Sequence, residues 1–107
     1  MTKSITKGKE GERELAHFLA ERGFPAHRGQ QFRGGTDSPD VVVEGLPDVH
    51  FECKRTERTN LDEWMAQAKA DCGSKIPVVA HRKNRGEWVA ILPLSDLLTI
   101  LKQRSEW

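Results

Sequence analysis

The stretch PDVVVEGLPDVHFECKR, residues 39–55, decides the fold of this chain. A β-branched run follows Asp40, and a second run of strand-forming residues extends from Val49 to Arg55. Between them lies Gly45-Leu46-Pro47-Asp48, which has the composition of a turn. The stretch therefore predicts a β-hairpin with strands at 40–44 and 49–55.

The alternation of side chains along a strand predicts which hairpin residues share a face. Glu52 and Lys54 point to one side together with His50, and Cys53 points to the other side, which should be core. If the valines of the first strand pack with Cys53, Asp40 lies on the face of Glu52 and Lys54. We therefore expect two carboxylates and one ammonium group to converge near one end of the hairpin.

Such a cluster has a specific chemistry. Carboxylates that lie close together repel and raise each other's pKa, and a divalent cation with a preference for oxygen, such as Mg²⁺ or Mn²⁺, relieves the repulsion. The cation polarises a phosphate oxygen and acidifies a bound water, while a neighbouring lysine stabilises developing charge. The alternative is an exposed pair of Glu52 and Lys54, with Asp40 merely beginning a strand after Pro39.

A third acid, Glu12, lies on a helix predicted over residues 10–22. At about 100° per residue, Glu12 falls between Leu15 and Ala16 in the apolar stripe, and Glu14 falls on the far side. An acid on a packing face is costly unless it is paired or binds a metal, so we expect the helix to deliver Glu12 to the cluster. The alternative is a hydrated acid in the first turn, where it favours the helix dipole.

The remaining elements follow from periodicity and from turn residues. They are a short strand at 26–28 and a helix at about 60–72. Two strands follow at 76–81 and 87–92, and a final helix begins at Ser95. The order α-β-β-β-α-β-β-α predicts an α/β fold with a small central mixed β-sheet flanked by helices. A length of 107 residues indicates one domain, 1–107, with residues 1–7 as a loose, flexible tail.

Composition limits the class of protein. No apolar run approaches the roughly 18 residues of a membrane span, and the N-terminus lacks the apolar core of a secretory signal. Two cysteines are too few for a disulfide framework, so we expect a cytoplasmic setting. The net charge of +1 is low for a nucleic-acid-binding domain, but the bases cluster. The three clusters, which are alternatively ordinary solvated loops, are Arg28 with Arg33, Lys54 with Arg55 and Arg58, and Arg82 with Lys83 and Arg85.

Several short motifs occur in a recognisable order. They are Gly8-x-x-x-Glu12-Arg13-Glu14-Leu15, Gly23-Phe24, Arg28, a Gly-rich loop, Pro39-Asp40-Val41-Val42 and Glu52-Cys53-Lys54. In this order the chain resembles the PD-(D/E)XK nuclease superfamily and, within it, the archaeal-type and phage Holliday-junction resolvases. The resemblance extends from about residue 7 to about residue 92 and implies a restriction-endonuclease-like core.

The resemblance implies a role for each matching residue. Asp40 and Glu52 would be the principal Mg²⁺ ligands, with Mn²⁺ able to substitute, and Glu12 would complete the metal site. Lys54 would be the catalytic lysine, which makes Glu12, Asp40, Glu52 and Lys54 the predicted catalytic set. The implied activity is metal-dependent DNA endonuclease cleavage in recombination and repair. The implied enzyme is a homodimer that nicks opposed strands of a four-way junction. It would act in the cytoplasm of a prokaryotic, archaeal or phage-infected cell, and it would need no organic cofactor and no membrane.

Four arginines are predicted to bind DNA. The resemblance implies phosphate contacts for Arg13 and Arg28, and the basic clusters add Arg33 and Arg55. The family's loop often carries a functional serine, for which Thr36 or Ser38 is the candidate here. On the helix after the acid-x-lysine motif, Gln67 is either a residue near the site, as in some branches of the superfamily, or a surface residue.

Other functions remain open on sequence alone. A nuclease of the same superfamily would act on flaps, single strands or duplex DNA, because the motifs specify hydrolysis and not DNA shape. A DNA-binding module would keep the fold without cutting, and a small interaction protein would carry the charged pairs by coincidence. The leucine stripe of the final helix, at Leu94, Leu97, Leu98 and Leu101, either seals the sheet or forms a dimer interface.

Overall fold

A computed structural model describes residues 2–29 and 39–105 of the chain. It contains α1 (Thr2–Glu21), β1 (Ala26–Arg28), β2 (Val41–Val43), β3 (Val49–Arg55), α2 (Leu61–Asp71), β4 (Ile76–Arg82), β5 (Val89–Ile91) and α3 (Leu94–Ser105). The element order is the predicted one, and the architecture is consistent with a restriction-endonuclease-like core.

The five strands form one mixed sheet in the order β1-β2-β3-β4-β5. Strand β3 pairs antiparallel with β2 and parallel with β4, and the other two pairings are antiparallel. A parallel pair needs a crossover connection, which α2 supplies. Because β3 and β4 run in parallel from Val49↔Ile76 to Arg55↔Arg82, their carboxyl ends meet at one edge of the sheet. We call this edge the site edge.

Each face of the sheet is covered by one helix. The core under α1 consists of Leu15, Ala16, Val41, Val43 and Ala80, with Phe51 and Cys53 packed against it. The core under α2 consists of Trp64, Ala68 and Val79. The predicted packing of the two hairpin valines with Phe51 and Cys53 is therefore confirmed.

Several element boundaries differ from the prediction, and those of β2, α2 and β4 differ by a single residue at an end. Helix α1 begins at Thr2, not at Glu10, so residues 2–7, predicted to be a loose tail, have helical backbone. The sequence gives little sign of this start, because Thr, Ser and Gly are weak helix formers. Strand β5 covers only Val89–Ile91 of the predicted 87–92, and α3 starts at Leu94. In the described ranges, 2–29 and 39–105, no helix combines the length and the hydropathy that a membrane crossing needs.

Helix α1 lies close against the sheet at Gly11. A Cβ atom placed there would lie 2.7 Å from the Cβ of Arg55, so only glycine fits without a shift. The helix therefore presents Gly11 and Leu15 to the sheet and not Glu12, which lies at the margin of the interface. On a helical wheel Glu12 falls within the apolar stripe because Gly11, which faces the sheet, contributes no side chain to that stripe.

On the other margin, Glu14 joins three elements. Its Oε1 accepts hydrogen bonds from Arg55 Nε at 3.0 Å and from Arg82 Nη1. These contacts tie α1 to β3 and β4. Glu14, which we predicted to lie on the far, solvent-facing side of the helix, is thus half-buried and engaged by two arginines.

Replacement of Glu14 tests this network. Glu14→Ala leaves two partly buried guanidinium groups without their carboxylate, and we expect it to lower the free energy of unfolding by about 1–2 kcal/mol. Glu10→Ala, an exposed acid on the same helix, should change it by less than about 0.5 kcal/mol. Urea unfolding monitored by circular dichroism gives both values, and equal effects of the two variants would contradict a structural role for Glu14.

Candidate active site

Asp40 lies directly before β2 and beside the middle of β3, which carries Glu52. Asp40 N donates to Phe51 O at 2.9 Å, and Asp40 Oδ2 accepts from Cys53 N at 2.8 Å. This second bond fixes the Asp40 carboxylate against the strand that carries Glu52. The two carboxyl groups interact directly, as the hairpin geometry predicted.

The side chain of Glu52 is almost entirely buried, with 5% of it exposed. Burial, which removes the carboxylate from water, is the main reason that its pKa is raised above the usual value. A hydrogen bond from His50 opposes this shift, and the negative charge of Asp40 adds to it. The site therefore holds two acids whose joint ionisation is unfavourable until a cation or a proton balances it.

His50 is a buried partner of Glu52, and its contact with this acid was not predicted. Its Nε2 lies 3.1 Å from Glu52 Oε1, and 1% of its side chain is exposed. With Glu52 ionised, Nε2 must carry the proton, since a carboxylate only accepts. Within the described part of the chain, His50 Nδ1 is buried without a hydrogen-bond partner. The signal that could have identified His50 is its position two residues before Glu52, on the same face of β3.

Lys54 and Gln67 form the next contact along the same face. Lys54 Nζ donates to Gln67 Oε1 at 3.1 Å, which joins β3 to α2. Gln67 was predicted to be either a surface residue or a residue near the site. It is exposed and also contacts Lys54, so both descriptions apply.

Glu12 occupies a different environment. Its Oε1 accepts from Arg28 Nε at 2.9 Å, and 16% of its side chain is exposed. In residues 2–29 and 39–105, no group of three or more His, Cys, Asp or Glu side chains is arranged to hold a metal. The structure thus brings Asp40 and Glu52 together but does not assemble the expected set of three acids.

The predicted DNA-binding residues fall into three groups. Arg13 is exposed on α1. Arg28 and Arg55 are engaged by Glu12 and Glu14, which gives both of them a structural contact. Arg33 lies outside the described residues, as do Thr36 and Ser38, the candidates for the functional residue of the loop.

Cys53 contributes packing and a backbone donor. Burial raises the pKa of its thiol to about 12, with a further contribution from the negative charge of Asp40. The thiol therefore stays protonated at neutral pH and is a poor nucleophile. Its backbone N–H, which holds Asp40, is the part of Cys53 that belongs to the site.

The fold is consistent with the restriction-endonuclease-like core of the PD-(D/E)XK nucleases, and a lysine follows the second acid of the hairpin by two residues. Residues 3–107 match the model of a family described as "Phage putative PDDEXK endonuclease". Because the match covers nearly the whole chain, the protein belongs to this family. The resemblance to the superfamily is thereby confirmed, whereas the narrower resemblance to Holliday-junction resolvases stays a prediction. No curated protein matches the chain.

Glu52→Gln tests the electrostatics of the acid pair. A carboxyl group with a raised pKa contributes its full stability below the unfolded-state value of 4.5 and loses it as the pH rises through the folded-state pKa. We therefore expect Glu52→Gln to leave stability unchanged near pH 4 and to raise it by roughly 1 kcal/mol at pH 7–8 in EDTA. Melting temperatures of the two proteins between these pH values measure the difference.

The matched control is Glu44→Gln, which changes an exposed acid of the same hairpin and should leave the pH profile of the melting temperature unaltered. A Glu52→Gln protein that is less stable than the wild type at every pH would contradict the proposed repulsion.

Proposed function

We propose that the protein is a Mg²⁺-dependent DNA endonuclease. The observation that carries the proposal is that Asp40 is hydrogen-bonded to the residues on either side of Glu52, through Phe51 O and Cys53 N, with Lys54 on the same face of β3 as Glu52. Membership of a PDDEXK endonuclease family supports the same chemistry. The four-way DNA junction is the proposed substrate, because the sequence motifs resemble those of Holliday-junction resolvases.

Asp40 and Glu52 would hold the metal ion. Mg²⁺ in phosphoryl-transfer sites is commonly bound by one or two carboxylates, with water and substrate phosphate as its other ligands. Two adjacent carboxylates, one of them with a raised pKa, fit that requirement. Bound there, Mg²⁺ or Mn²⁺ would act as a Lewis acid and would lower the pKa of the attacking water.

The protein's own residues hold this site in position. Cys53 N fixes one oxygen of Asp40, and His50 fixes one oxygen of Glu52. Lys54, held by Gln67, would orient the attacking water or stabilise the negative charge that develops on the phosphate. Glu12 remains the proposed third ligand, and its Oε1 is hydrogen-bonded to Arg28.

Dimerisation belongs to the same proposal. A junction contains two strands to be cut, so a two-fold dimer supplies one site for each. Three leucines of α3 that are largely exposed in the single chain offer an apolar surface to a second copy; they are Leu94, Leu98 and Leu101. The reaction would take place in the cytoplasm of the host cell. Arg13, Arg28, Arg33 and Arg55 stay proposed DNA-binding residues, and Thr36 and Ser38 stay the candidates for the functional residue of the loop.

Cleavage of defined DNA substrates tests the proposal. With Mg²⁺, we expect paired, symmetric nicks in a labelled four-way junction and none in EDTA. Asp40→Asn should abolish cleavage while DNA binding is kept or strengthened, because a negative charge is lost. Lys54→Ala should slow cleavage by about 10²-fold or more.

Asp48→Asn, a change at an exposed acid in the hairpin turn, is the control and should cut normally. Wild-type rates in both the Asp40 and Lys54 variants would refute the site. If flaps and plain duplex are cut as fast as the junction, the proposed nuclease activity stands and the proposed junction substrate is wrong. Binding without cutting would favour a DNA-binding module.

Gln67→Ala tests whether Gln67 positions the lysine. Loss of the hydrogen bond frees the ammonium of Lys54, and we expect kcat to fall by about 10-fold while the Kd for DNA in EDTA is unchanged. Gln103→Ala, at an exposed residue of α3, should alter neither value. An unchanged kcat in Gln67→Ala would show that the contact does not position Lys54 for catalysis.

A further inference from the structure

We propose that the loop after β3 and the turn after β4 form a surface that binds the DNA backbone beside the acid pair. This inference rests on the proposed function, since it names where the substrate of that site lies. The surface is made by three exposed cations and is called here the basic edge: Arg58, Lys83 and Arg85. These residues come from two of the sequence clusters, and none of them was among the predicted DNA-binding residues.

The parallel pairing of β3 and β4 brings the two segments together. Lys54 is aligned with His81, and each lies one residue before the end of its strand. The chain leaves both strands at the site edge, so Arg58 follows β3 there and Lys83 and Arg85 follow β4. A duplex that reaches Lys54 over this edge must pass the two segments.

Hydrogen bonds hold the two segments against each other. Asn84 N donates to Glu57 Oε2, Arg55 Nη1 donates to Asn84 Oδ1 at 3.0 Å, and His81 Nε2 lies 2.9 Å from Thr56 O. Because the backbone of the turn is anchored by these bonds, the basic side chains project from a fixed base. Fixed cations lose less conformational entropy on binding than cations on a loose loop.

The basic-edge cations differ from three nearby arginines in whether they form ion pairs. Arg28, Arg55 and Arg82 pair with glutamates of α1. In the part of the chain that the structure describes, none of the basic-edge cations pairs with a carboxylate. Two acids, Glu57 and Glu87, lie in the same segments, and the carboxylate of Glu57 is bound to the Asn84 backbone. The three cations are therefore available to phosphate.

Arg85 provides a second, independent observation. Its φ is 62°, and Gly86 N donates to Lys83 O at 3.0 Å, so Arg85 occupies the third position of a tight turn. Glycine and asparagine suit positive φ there, whereas an arginine is strained. Strained residues cluster at functional sites, where the side chain has a use that offsets the cost. A guanidinium aimed at phosphate is such a use.

Charge removal at opposite edges of the sheet tests the proposal. Lys83→Ala/Arg85→Ala removes two charges at the site edge, and Lys69→Ala/Lys75→Ala removes two exposed charges from the end of α2 and the start of β4, at the other edge. Binding of a labelled junction and a duplex is measured in EDTA over a salt series. We expect the first pair to raise Kd at least about 10-fold and to reduce the slope of log K against log salt by roughly two, about 0.9 for each lost phosphate contact.

The control pair should change Kd by less than about threefold and should keep the wild-type salt slope. Equal losses in both pairs, or no loss in the first, would overturn the basic edge. If the wild type binds and cuts the junction while Lys83→Ala/Arg85→Ala binds as tightly as the wild type, only this inference fails. If the wild type binds no DNA, the proposed function fails as well.

Arg85→Gly separates binding from folding. Glycine relieves the strain at positive φ, so the melting temperature should be unchanged or higher, while Kd for the junction rises severalfold. The measurement pairs thermal unfolding with the same binding assay. A variant that folds as well as the wild type and binds DNA with the wild-type Kd would remove Arg85 from the surface.

Discussion

The alignment of Val41 opposite Phe51 is the constraint on which the site depends. A shift of one residue in an antiparallel pair sends every side chain of a strand to the other face of the sheet. In the observed register, Val41 and Val43 lie in the core under α1, and Asp40 lies near Glu52, whose side chain is on the opposite face. The burial of two valines thus determines the distance between two carboxylates, and an apolar core fixes the geometry of a polar site.

The site is electrostatically unfavourable, and the surrounding structure tolerates it. Glu52 is buried beside Asp40, and His50 leaves one ring nitrogen without a partner among the described residues. Such arrangements persist when other contacts hold the elements in place. Here Glu14 does so from the α1 side, since it joins that helix to both strands of the parallel pair. The stabilising acid Glu14 lies on the α1 side of the sheet, whereas the side chain of Glu52 lies on the other side.

The parts of the fold that follow from local periodicity could be predicted from the sequence. The hairpin, the faces of Glu52 and Lys54, and the approach of Asp40 follow from the period of two in a strand. The orientation of α1 could not be predicted, because it depends on Gly11, whose lack of a side chain lets the helix contact Arg55. In this orientation of α1 about its own axis, Glu12 contacts Arg28 and Glu14 contacts Arg82. The contact of His50 with Glu52 was not predicted although both lie on one face of β3, because the alternation of side chains does not show that this face is buried.

The arginines show why charge clusters in a sequence do not identify a binding surface. Arg55 and Arg58 lie in one cluster, and Arg82 and Arg85 lie in another, yet the members of each pair differ in role. Arg55 and Arg82 end the two parallel strands and reach back to Glu14, which neutralises them within the fold. Arg58 and Arg85 lie three residues further along, where the chain has left the sheet. An arginine within the strand is therefore structural, and one beyond the end of the strand is available to a ligand. Because β3 and β4 are parallel, both strands end at the same edge of the sheet, beside the acid pair.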